Sequence, residues 1–248
     1  MKALILAAGY GTRMYPLTKL RPKSFLEIKH KPLIDYLVKD LDSINKIDKI
    51  IIVTNNKFFH IFLKWSKKID TKKKIVVLND GTRYPSQRLG AIGDIIFTIK
   101  EENIKDDLLV LGGDNLFDQK LDEFLKFCFH KRPHPCLGVY NVKKKELAKR
   151  YGVVKLDKYN KVIKFAEKSN NPFSTLAAMC LYFFPKEKLH LFQEYLKINK
   201  NHIDLAGLYI DWLCKKEEVF GFEFKGNWFD IGQHDSYKKA KLIFKKSA

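Results

Sequence analysis

Two glycines and two cations near the start of the chain have the types and spacing of a phosphate-binding loop. Gly9 and Gly11 follow directly on a short apolar run, where glycine lets the backbone approach a ligand and turn its N–H groups towards it. Arg13 and Lys23 add two positive charges to the same loop, which suits a polyphosphate better than a neutral metabolite. The sequence therefore predicts that a phosphate-bearing ligand binds after the first strand.

Two common glycine-rich motifs do not fit this loop. A dinucleotide-binding fingerprint needs a third glycine at position 14, which is occupied by Met14. A P-loop ends in Gly-Lys-Ser or Gly-Lys-Thr, and neither tripeptide occurs in the sequence. A Gly-x-Gly pair alone is also typical of a tight turn. Gly-x-Gly-Thr-Arg followed by Pro-Lys is a much more specific pattern.

The predicted elements place these residues at the ends of strands. Apolar runs predict strands at 2–8, 49–54, 74–78 and 107–112, and apolar residues recurring every three or four positions predict helices at 33–46, 57–68, 90–101 and 120–130. Near-continuous apolar strands separated by helices indicate an α/β fold with a doubly wound, mostly parallel sheet covered on both faces. Ligands bind such sheets at the carboxyl ends of the strands, where the glycine-rich loop and Gly112-Gly-Asp-Asn115 both fall.

The second half of the chain is less regular and predicts an added, mixed β region. Strands are predicted at 135–141, 152–156, 160–165, 178–184 and 218–224, and helices at 144–149, 186–198, 204–215 and 234–246. Residues 157–161 have the turn chemistry of a hairpin. No linker or repeat divides the sequence, so we expect one domain over residues 1–248.

Composition argues against a membrane protein and against a specific nucleic-acid-binding protein. No apolar run reaches the roughly 18–20 residues of a membrane span, and the N-terminal run is too short for a secretory signal. The four cysteines have neither CxxC pairing nor zinc spacing, which predicts reduced thiols in a cytoplasmic protein. The net charge of +19 raises nucleic acid as a partner, but 41 of the 47 cations are lysines spread along the chain. Specific readers of nucleic acid favour arginine, so no specific nucleic acid is expected.

Six blocks along the chain resemble the sugar-1-phosphate nucleotidyltransferases, in particular glucose-1-phosphate thymidylyltransferase-like enzymes. The first block is the glycine-rich loop with its Pro-Lys. The other five are Arg88-Leu-Gly-Ala-Ile-Gly93, Leu111-Gly-Gly-Asp-Asn115, Tyr151-Gly-Val-Val154, Glu167-Lys168 and Trp228-Phe-Asp-Ile-Gly232. The resemblance implies a Rossmann-like nucleotidyltransferase fold whose mixed β region binds the acceptor. It also implies Mg²⁺-dependent transfer of a nucleoside monophosphate from an NTP to a sugar 1-phosphate, in nucleotide-sugar biosynthesis.

The resemblance also implies a role for each matching residue. Arg13 and Lys23 would be catalytic, and Asp114 and Asp230 would hold the Mg²⁺, although an aspartate in either position is also common in turns. The residues implied in substrate binding are Leu6, Ala7, Ala8, Gly9, Gly11, Thr12, Leu89 and Gly90 on the nucleotide side, and Gly152, Glu167 and Lys168 on the acceptor side.

The sequence leaves the substrates themselves open. We expect dTTP or UTP as the nucleotide, but the segment before Leu89 does not identify the base. Met179-Cys180 stands where relatives usually carry small residues, which predicts that both side chains reshape the acceptor pocket. A cytidylyltransferase acting on a non-sugar phosphate and a non-catalytic, nucleotide-sensing relative are the alternatives. The sequence does not identify the sugar, the pathway or the oligomeric state, and it is compatible with a homo-oligomer.

Overall fold

The computed structural model describes residues 1–199 and 206–244, and all the helices and strands named below belong to those residues. The strands are β1 (Lys2–Leu6), β2 (Glu27–Ile28), β3 (Lys31–Pro32), β4 (Lys49–Thr54), β5 (Lys74–Asn79), β6 (Leu108–Gly112), β7 (Asn115–Phe117), β8 (Cys136–Asn141), β9 (Gly152–Leu156), β10 (Val162–Glu167), β11 (Leu176–Phe184), β12 (Phe220–Phe224) and β13 (Trp228–Asp230). The α-helices are α1 (Leu33–Asp42), α2 (Phe59–Ser66), α3 (Gly90–Glu101), α4 (Leu121–Lys131), α5 (Lys145–Ala148), α6 (His190–Ile198), α7 (Ala206–Lys216) and α8 (His234–Ile243).

A nine-stranded sheet joins the two halves of the chain. Its order along one path is β10-β9-β11-β6-β1-β4-β5, and β8 pairs with β11 and β12 beside that path. The run β6-β1-β4-β5 is parallel, whereas β11 is antiparallel to β6, β8 and β9. The predicted α/β class, with a parallel core and an added mixed region, is therefore confirmed.

Helices cover both faces of the sheet because its strands are apolar on both sides. In β1, Ala3 and Ile5 belong to one core and Leu4 to the other. The first core contains residues of α1, α2 and α4, and the second contains residues of α3, α6 and α7. None of the described helices is long and apolar enough to cross a membrane.

A third, smaller core fixes the elements nearest to the glycine-rich loop. It contains Met14 of that loop, Leu116 of β7 and Phe229 of β13, together with Phe244 at the end of α8. β7 and β13 form a two-stranded antiparallel ribbon in which Asn115 pairs with Asp230. Neither strand is predicted from the sequence pattern, because three residues are too few to reveal a period.

Most of the predicted elements occur, with shifts at their ends. α1 ends at Asp42 rather than at 46, and β11 begins at Leu176 rather than at 178. The turn predicted at 157–161 joins β9 and β10, with Asp157 donating its N–H to Lys161 O at 2.9 Å. The first two residues of the helix predicted at 204–215, and the last two of that at 234–246, lie outside the described residues.

Candidate active site

The loop after β1 presents a series of free backbone N–H groups. Two of its carbonyls accept side-chain hydrogen bonds: Asn55 Nδ2 donates to Ala8 O at 2.8 Å, and Thr18 Oγ1 donates to Gly11 O at 2.7 Å. Gly11 has φ +66°, a conformation that favours glycine. In the part of the chain that the structure describes, no group accepts a hydrogen bond from the N–H groups of residues 9–13. Successive free amides of this kind form an anion-binding concavity.

Tyr10 ties this loop to the segment that follows β5. Its buried hydroxyl donates to Thr82 Oγ1 at 3.2 Å, and Thr82 Oγ1 donates to Asp80 Oδ1 at 2.7 Å. Burial raises the pKa of Asp80 above its ordinary value, although the hydrogen bonds from Thr82 oppose that effect. No sequence pattern signals this contact, which joins residues 72 positions apart.

Lys23 reaches from a 3-10 turn beneath the loop to Asp114 at the end of β6. The two side chains form an ion pair in which both are largely buried. Burial alone would lower the pKa of Lys23, but the charge and hydrogen bond of Asp114 outweigh it and raise the pKa above its ordinary value. Lys23 is therefore a stable ammonium group at the floor of the site.

Asp114 and Asp230 converge although they are far apart in sequence, because β7 and β13 pair. Ile231 donates its N–H to Asp114 O at 2.9 Å, which fixes the two strand ends together. Burial, and then the charge of Asp114, raises the pKa of Asp230 to about 6. A cation would relieve this repulsion between the carboxylates.

The donor set fits Mg²⁺. Among the described residues, no three His, Cys, Asp or Glu side chains come together as a metal site made by the protein alone. Two carboxylates, with substrate phosphates and water as the remaining ligands, are the usual protein contribution to a Mg²⁺ site. Gly113 lets the end of β1 pack closely against the backbone beside Asp114, since a Cβ on Gly113 would lie 2.9 Å from Leu6 O.

A cavity of about 470 Å³ opens beside the two carboxylates. Its size is within the range of small-molecule sites. Its lining combines cations, carboxylates and aromatic rings; it includes Arg13, Asp114, Asn115, Arg150, Tyr151, Gly152, Glu167, Lys168, Cys180, Tyr182, Gly207, Trp228 and Asp230. A second cavity of about 70 Å³ is lined by Leu6, Ala7, Gly9, Lys23, Ser24 and Asp114. Asp114 therefore lines both cavities.

Polar groups in the lining of the large cavity suit a hydroxylated ligand. Glu167 ends β10 and is held near Lys168, whose Nζ lies 3.6 Å from Glu167 Oε1. Burial raises the pKa of Glu167 above its ordinary value. Tyr151 lies against Trp228, with ring centroids 5.1 Å apart, and burial raises the pKa of Tyr151 to about 12. Tyr151 thus stays protonated and can donate a hydrogen bond.

β11 forms one wall of the large cavity, and here one sequence-based prediction is wrong. Cys180 lines the cavity with Ala178 and Tyr182, as expected. Met179 instead lies in the core on the opposite face of the sheet, fully buried. Successive side chains of a strand point to opposite faces, so adjacent residues cannot both line one wall. Burial, and then the charges of Asp114 and Asp230, raises the pKa of Cys180 to about 12, which keeps its thiol neutral.

The other predicted residues divide between the two cavities and their surroundings. Arg13, Asp114, Gly152, Glu167, Lys168 and Asp230 line the large cavity, and Leu6, Ala7, Gly9 and Lys23 line the small one. Ala8, Gly11 and Thr12 belong to the glycine-rich loop and line neither cavity. Leu89 and Gly90 lie at the start of α3 and line neither cavity. Arg150 and Gln233 are not predicted from the sequence, and Tyr151 belongs to a family-like block without a predicted role of its own. Arg150 Nη1 donates to Gln233 Oε1 at 3.0 Å, and both residues line the large cavity.

Known proteins resemble this chain over most of its length. It is 31% identical over 236 residues to the bifunctional protein GlmU of Methanocaldococcus jannaschii, a match that covers 94% of this chain and 52% of that protein. It is 29% identical over 246 residues to a Sulfolobus acidocaldarius protein named provisionally as a mannose-1-phosphate guanyltransferase, covering 98% and 62%. The chain thus spans less than two thirds of the length of these two relatives.

Two further matches extend over nearly the full length of both proteins. The UTP–glucose-1-phosphate uridylyltransferase of Staphylococcus epidermidis is 29% identical over 268 residues, covering 98% of this chain and 91% of that one. The structure of UDP-glucose pyrophosphorylase with UDP-glucose superposes with a TM-score of 0.80 at 22% identity, covering 98% and 97%. This second likeness supports the fold.

The family comparison covers almost the whole chain. The nucleotidyl transferase family matches residues 2–247, a range that contains the glycine-rich loop, both aspartates and the Glu167–Lys168 pair. The chain belongs to the nucleotidyl transferase family.

Proposed function

We propose that this protein transfers a nucleoside monophosphate from UTP or dTTP to a sugar 1-phosphate, releasing pyrophosphate. The position of Asp114 carries the proposal, because this carboxylate lines both cavities. A nucleotide bound at the glycine-rich loop and an acceptor in the large cavity would meet at Asp114. The family match supports a nucleotidyl transfer, and the acceptor and the base are our inference.

The chain supplies charge and position rather than a general base. An acceptor phosphate oxygen is already ionised near pH 7 and would attack the α-phosphorus as pyrophosphate leaves. The free N–H groups of residues 9–13 would bind the triphosphate, and Arg13 would neutralise its β- and γ-phosphates. Lys23, a stable ammonium group beside Asp114, would balance the charge that develops at the α-phosphorus. Burial raises the pKa of Cys180 to about 12, which disfavours the thiolate that a nucleophilic role would need.

Asp114 and Asp230 would hold the Mg²⁺. When bound there, Mg²⁺ supplies positive charge that neutralises phosphate oxygens in the transition state. In the structure Lys23 pairs with Asp114 Oδ2 and Asn115 Nδ2 donates to Asp114 Oδ1 at 3.4 Å, so a bound Mg²⁺ would share the Asp114 carboxylate with these two groups.

The acceptor end of the large cavity supports a sugar over a simple phosphorylated alcohol. Glu167 can accept hydrogen bonds from two hydroxyl groups, and Tyr151 can donate one. The Tyr151–Trp228 pair offers an aromatic surface for the apolar face of a sugar ring. Lys168 lies next to Glu167 on the cavity wall and would bind the acceptor phosphate.

Relatives of this chain are named for different nucleotides. The Staphylococcus epidermidis relative is named for UTP and the Sulfolobus acidocaldarius relative for a guanyl transfer. We favour a pyrimidine nucleotide because the first of these matches along nearly its whole length.

Pyrophosphate release over a matrix of substrates tests the proposal. ATP, CTP, GTP, UTP and dTTP would each be combined with glucose 1-phosphate, mannose 1-phosphate, N-acetylglucosamine 1-phosphate and glycerol 3-phosphate, with Mg²⁺ present. We expect the highest kcat/KM for UTP or dTTP with a sugar 1-phosphate. Preference for CTP with glycerol 3-phosphate would instead identify a cytidylyltransferase of a phosphorylated alcohol. Nucleotide binding without any pyrophosphate release would identify a nucleotide-sensing relative.

A further inference from the structure

We propose that Gly207 is a positioning residue of the acceptor cavity, because its missing side chain leaves the space in which the carboxylate of Glu167 lies. Gly207 is the second residue of α7 and lines the cavity. The inference rests on the proposed function, in which Glu167 binds acceptor hydroxyls. It adds Gly207 of α7 to the acceptor site. None of the six sequence blocks contains this residue.

Glu167 supplies the atoms nearest to the missing side chain of Gly207. A Cβ built on Gly207 would lie 1.8 Å from Glu167 Oε2, 2.3 Å from Cδ and 3.0 Å from Cγ, and these are its three nearest neighbours. A Cβ on Gly152 would lie 2.8 Å from the same Oε2. Gly152 begins β9 and Gly207 lies in the first turn of α7, so the carboxylate lies in a slot between glycines of two elements.

Nothing in the helix itself requires glycine at position 207. Its φ is not in the left-handed region, so an L side chain fits the backbone there. Alanine is the better helix former by about 1 kcal/mol. The atoms that a methyl group would meet are the far end of a flexible side chain. Gly207→Ala should therefore leave the fold intact and displace the carboxylate of Glu167.

The space beside Gly207 helps to set the position of the Glu167 carboxylate, because few polar groups bind that carboxylate. Among the described residues its charged partner is Lys168, whose Nζ is 3.6 Å from Oε1, longer than a normal hydrogen bond. Lys168 is itself half exposed. Displaced by a methyl group, the carboxylate would lose its alignment with an acceptor hydroxyl.

The expected effect is confined to the acceptor. Hydrogen bonds to a charged group are strong enough that their loss weakens binding by roughly ten- to a hundredfold. We expect Gly207→Ala to raise the KM for the acceptor by that factor. The KM for the nucleotide should change by less than about twofold, since Glu167 and Gly207 do not line the small cavity that Leu6, Ala7 and Gly9 of the nucleotide side line.

A double-mutant cycle distinguishes positioning from a general structural effect. Gly207→Ala, Glu167→Ala and the double variant would be compared, with glucose 1-phosphate as the acceptor probe and UTP as the nucleotide. If Gly207 acts through Glu167, Gly207→Ala should add nothing once the carboxylate is gone. Gly221→Ala is the matched control: its Cβ would lie 2.8 Å from the Leu156 side chain, on β12 outside the cavity.

Each outcome decides the inference. Additive effects of the two substitutions, or an unchanged acceptor KM in Gly207→Ala while Glu167→Ala raises it, would overturn the role of Gly207 and leave the proposed function standing. Loss of nucleotide binding in Gly207→Ala, measured by calorimetry, would show that more than Glu167 needs the glycine and would also overturn it. An unchanged acceptor KM in Glu167→Ala would instead refute Glu167 as an acceptor ligand, and the inference with it.

Discussion

Adjacent substitutions on β11 should have opposite consequences, because Met179 and Cys180 face opposite sides of the sheet. Met179 is fully buried in the core, with no exposed surface. Truncation of such a side chain to alanine costs about 2–5 kcal/mol. For a chain of this length the melting temperature falls by roughly 2–4 °C for each kcal/mol. We therefore expect Met179→Ala to lower the Tm by about 4–20 °C without altering the preference among acceptors.

Cys180→Ala should show the reverse pattern. Cys180 lines the acceptor cavity, so removing its sulfur enlarges the cavity where the acceptor phosphate and sugar would lie. A change of about one methylene group in a substrate pocket alters discrimination by roughly 10–200-fold. We expect the ratio of kcat/KM between glucose 1-phosphate and a bulkier sugar phosphate to change by a factor in the lower part of that range. Its Tm should fall less than that of Met179→Ala.

Differential scanning calorimetry and steady-state kinetics on the two variants check this pair of expectations. The nucleotide preference, measured with UTP and dTTP, serves as the internal control and should stay constant in both variants. Changed acceptor ratios in Met179→Ala, with none in Cys180→Ala, would contradict the assignment of the two faces of β11. A change in nucleotide preference in Cys180→Ala would show that Cys180 contacts the nucleotide rather than the acceptor.

Three further predictions concern the nucleotide loop and the surface. Arg13→Ala should weaken NTP binding strongly, whereas Lys23→Ala should lower kcat more than it weakens NTP binding. Calorimetry measures the binding of the NTP and steady-state kinetics measures kcat. Equal effects of both substitutions on both quantities would contradict the separate roles of Arg13 and Lys23. Tyr10→Phe removes the hydrogen bond to Thr82 and should raise the KM for the NTP about three- to tenfold, with an unchanged acceptor KM; an unchanged NTP KM would refute the coupling of the two loops. Association with DNA should be weak and salt-sensitive, with a Kd of about 10⁻⁴–10⁻⁶ M at physiological salt; a sequence-dependent nanomolar complex would contradict it.

The sequence predicts the parallel part of the fold well, because long apolar strands and amphipathic helices carry a clear period. The parallel strands β1, β4, β5 and β6 and the helices that cover them are predicted from that signal, whereas their order in the sheet is not. The ribbon of β7 and β13 has three residues on each side, too few for any period. Its effect, the convergence of Asp114 and Asp230, is therefore implied only by the family resemblance.

Site residues that depend on side-chain direction or on distant contacts are not predictable from the sequence, for physical reasons. The family resemblance places Met179 at the cavity, although strand alternation separates it from Cys180. Tyr10 meets Thr82 only because the loops after β1 and β5 lie at one edge of the sheet. The role of Gly207 is visible only from its distance to Glu167, and that distance depends on how α7 packs beside β10. No local pattern records these contacts.

The transfer of an isotopic label tests the proposed reaction most directly. UTP labelled at the α-phosphate would be incubated with glucose 1-phosphate, Mg²⁺ and the protein, with the Asp230→Asn variant as the control. We predict that the label enters a UDP-sugar while unlabelled pyrophosphate is released, and that the variant is at least about a hundredfold slower. Label recovered as free UMP, or near-normal transfer by folded Asp230→Asn, would contradict nucleotidyl transfer to a sugar phosphate at this pair of carboxylates.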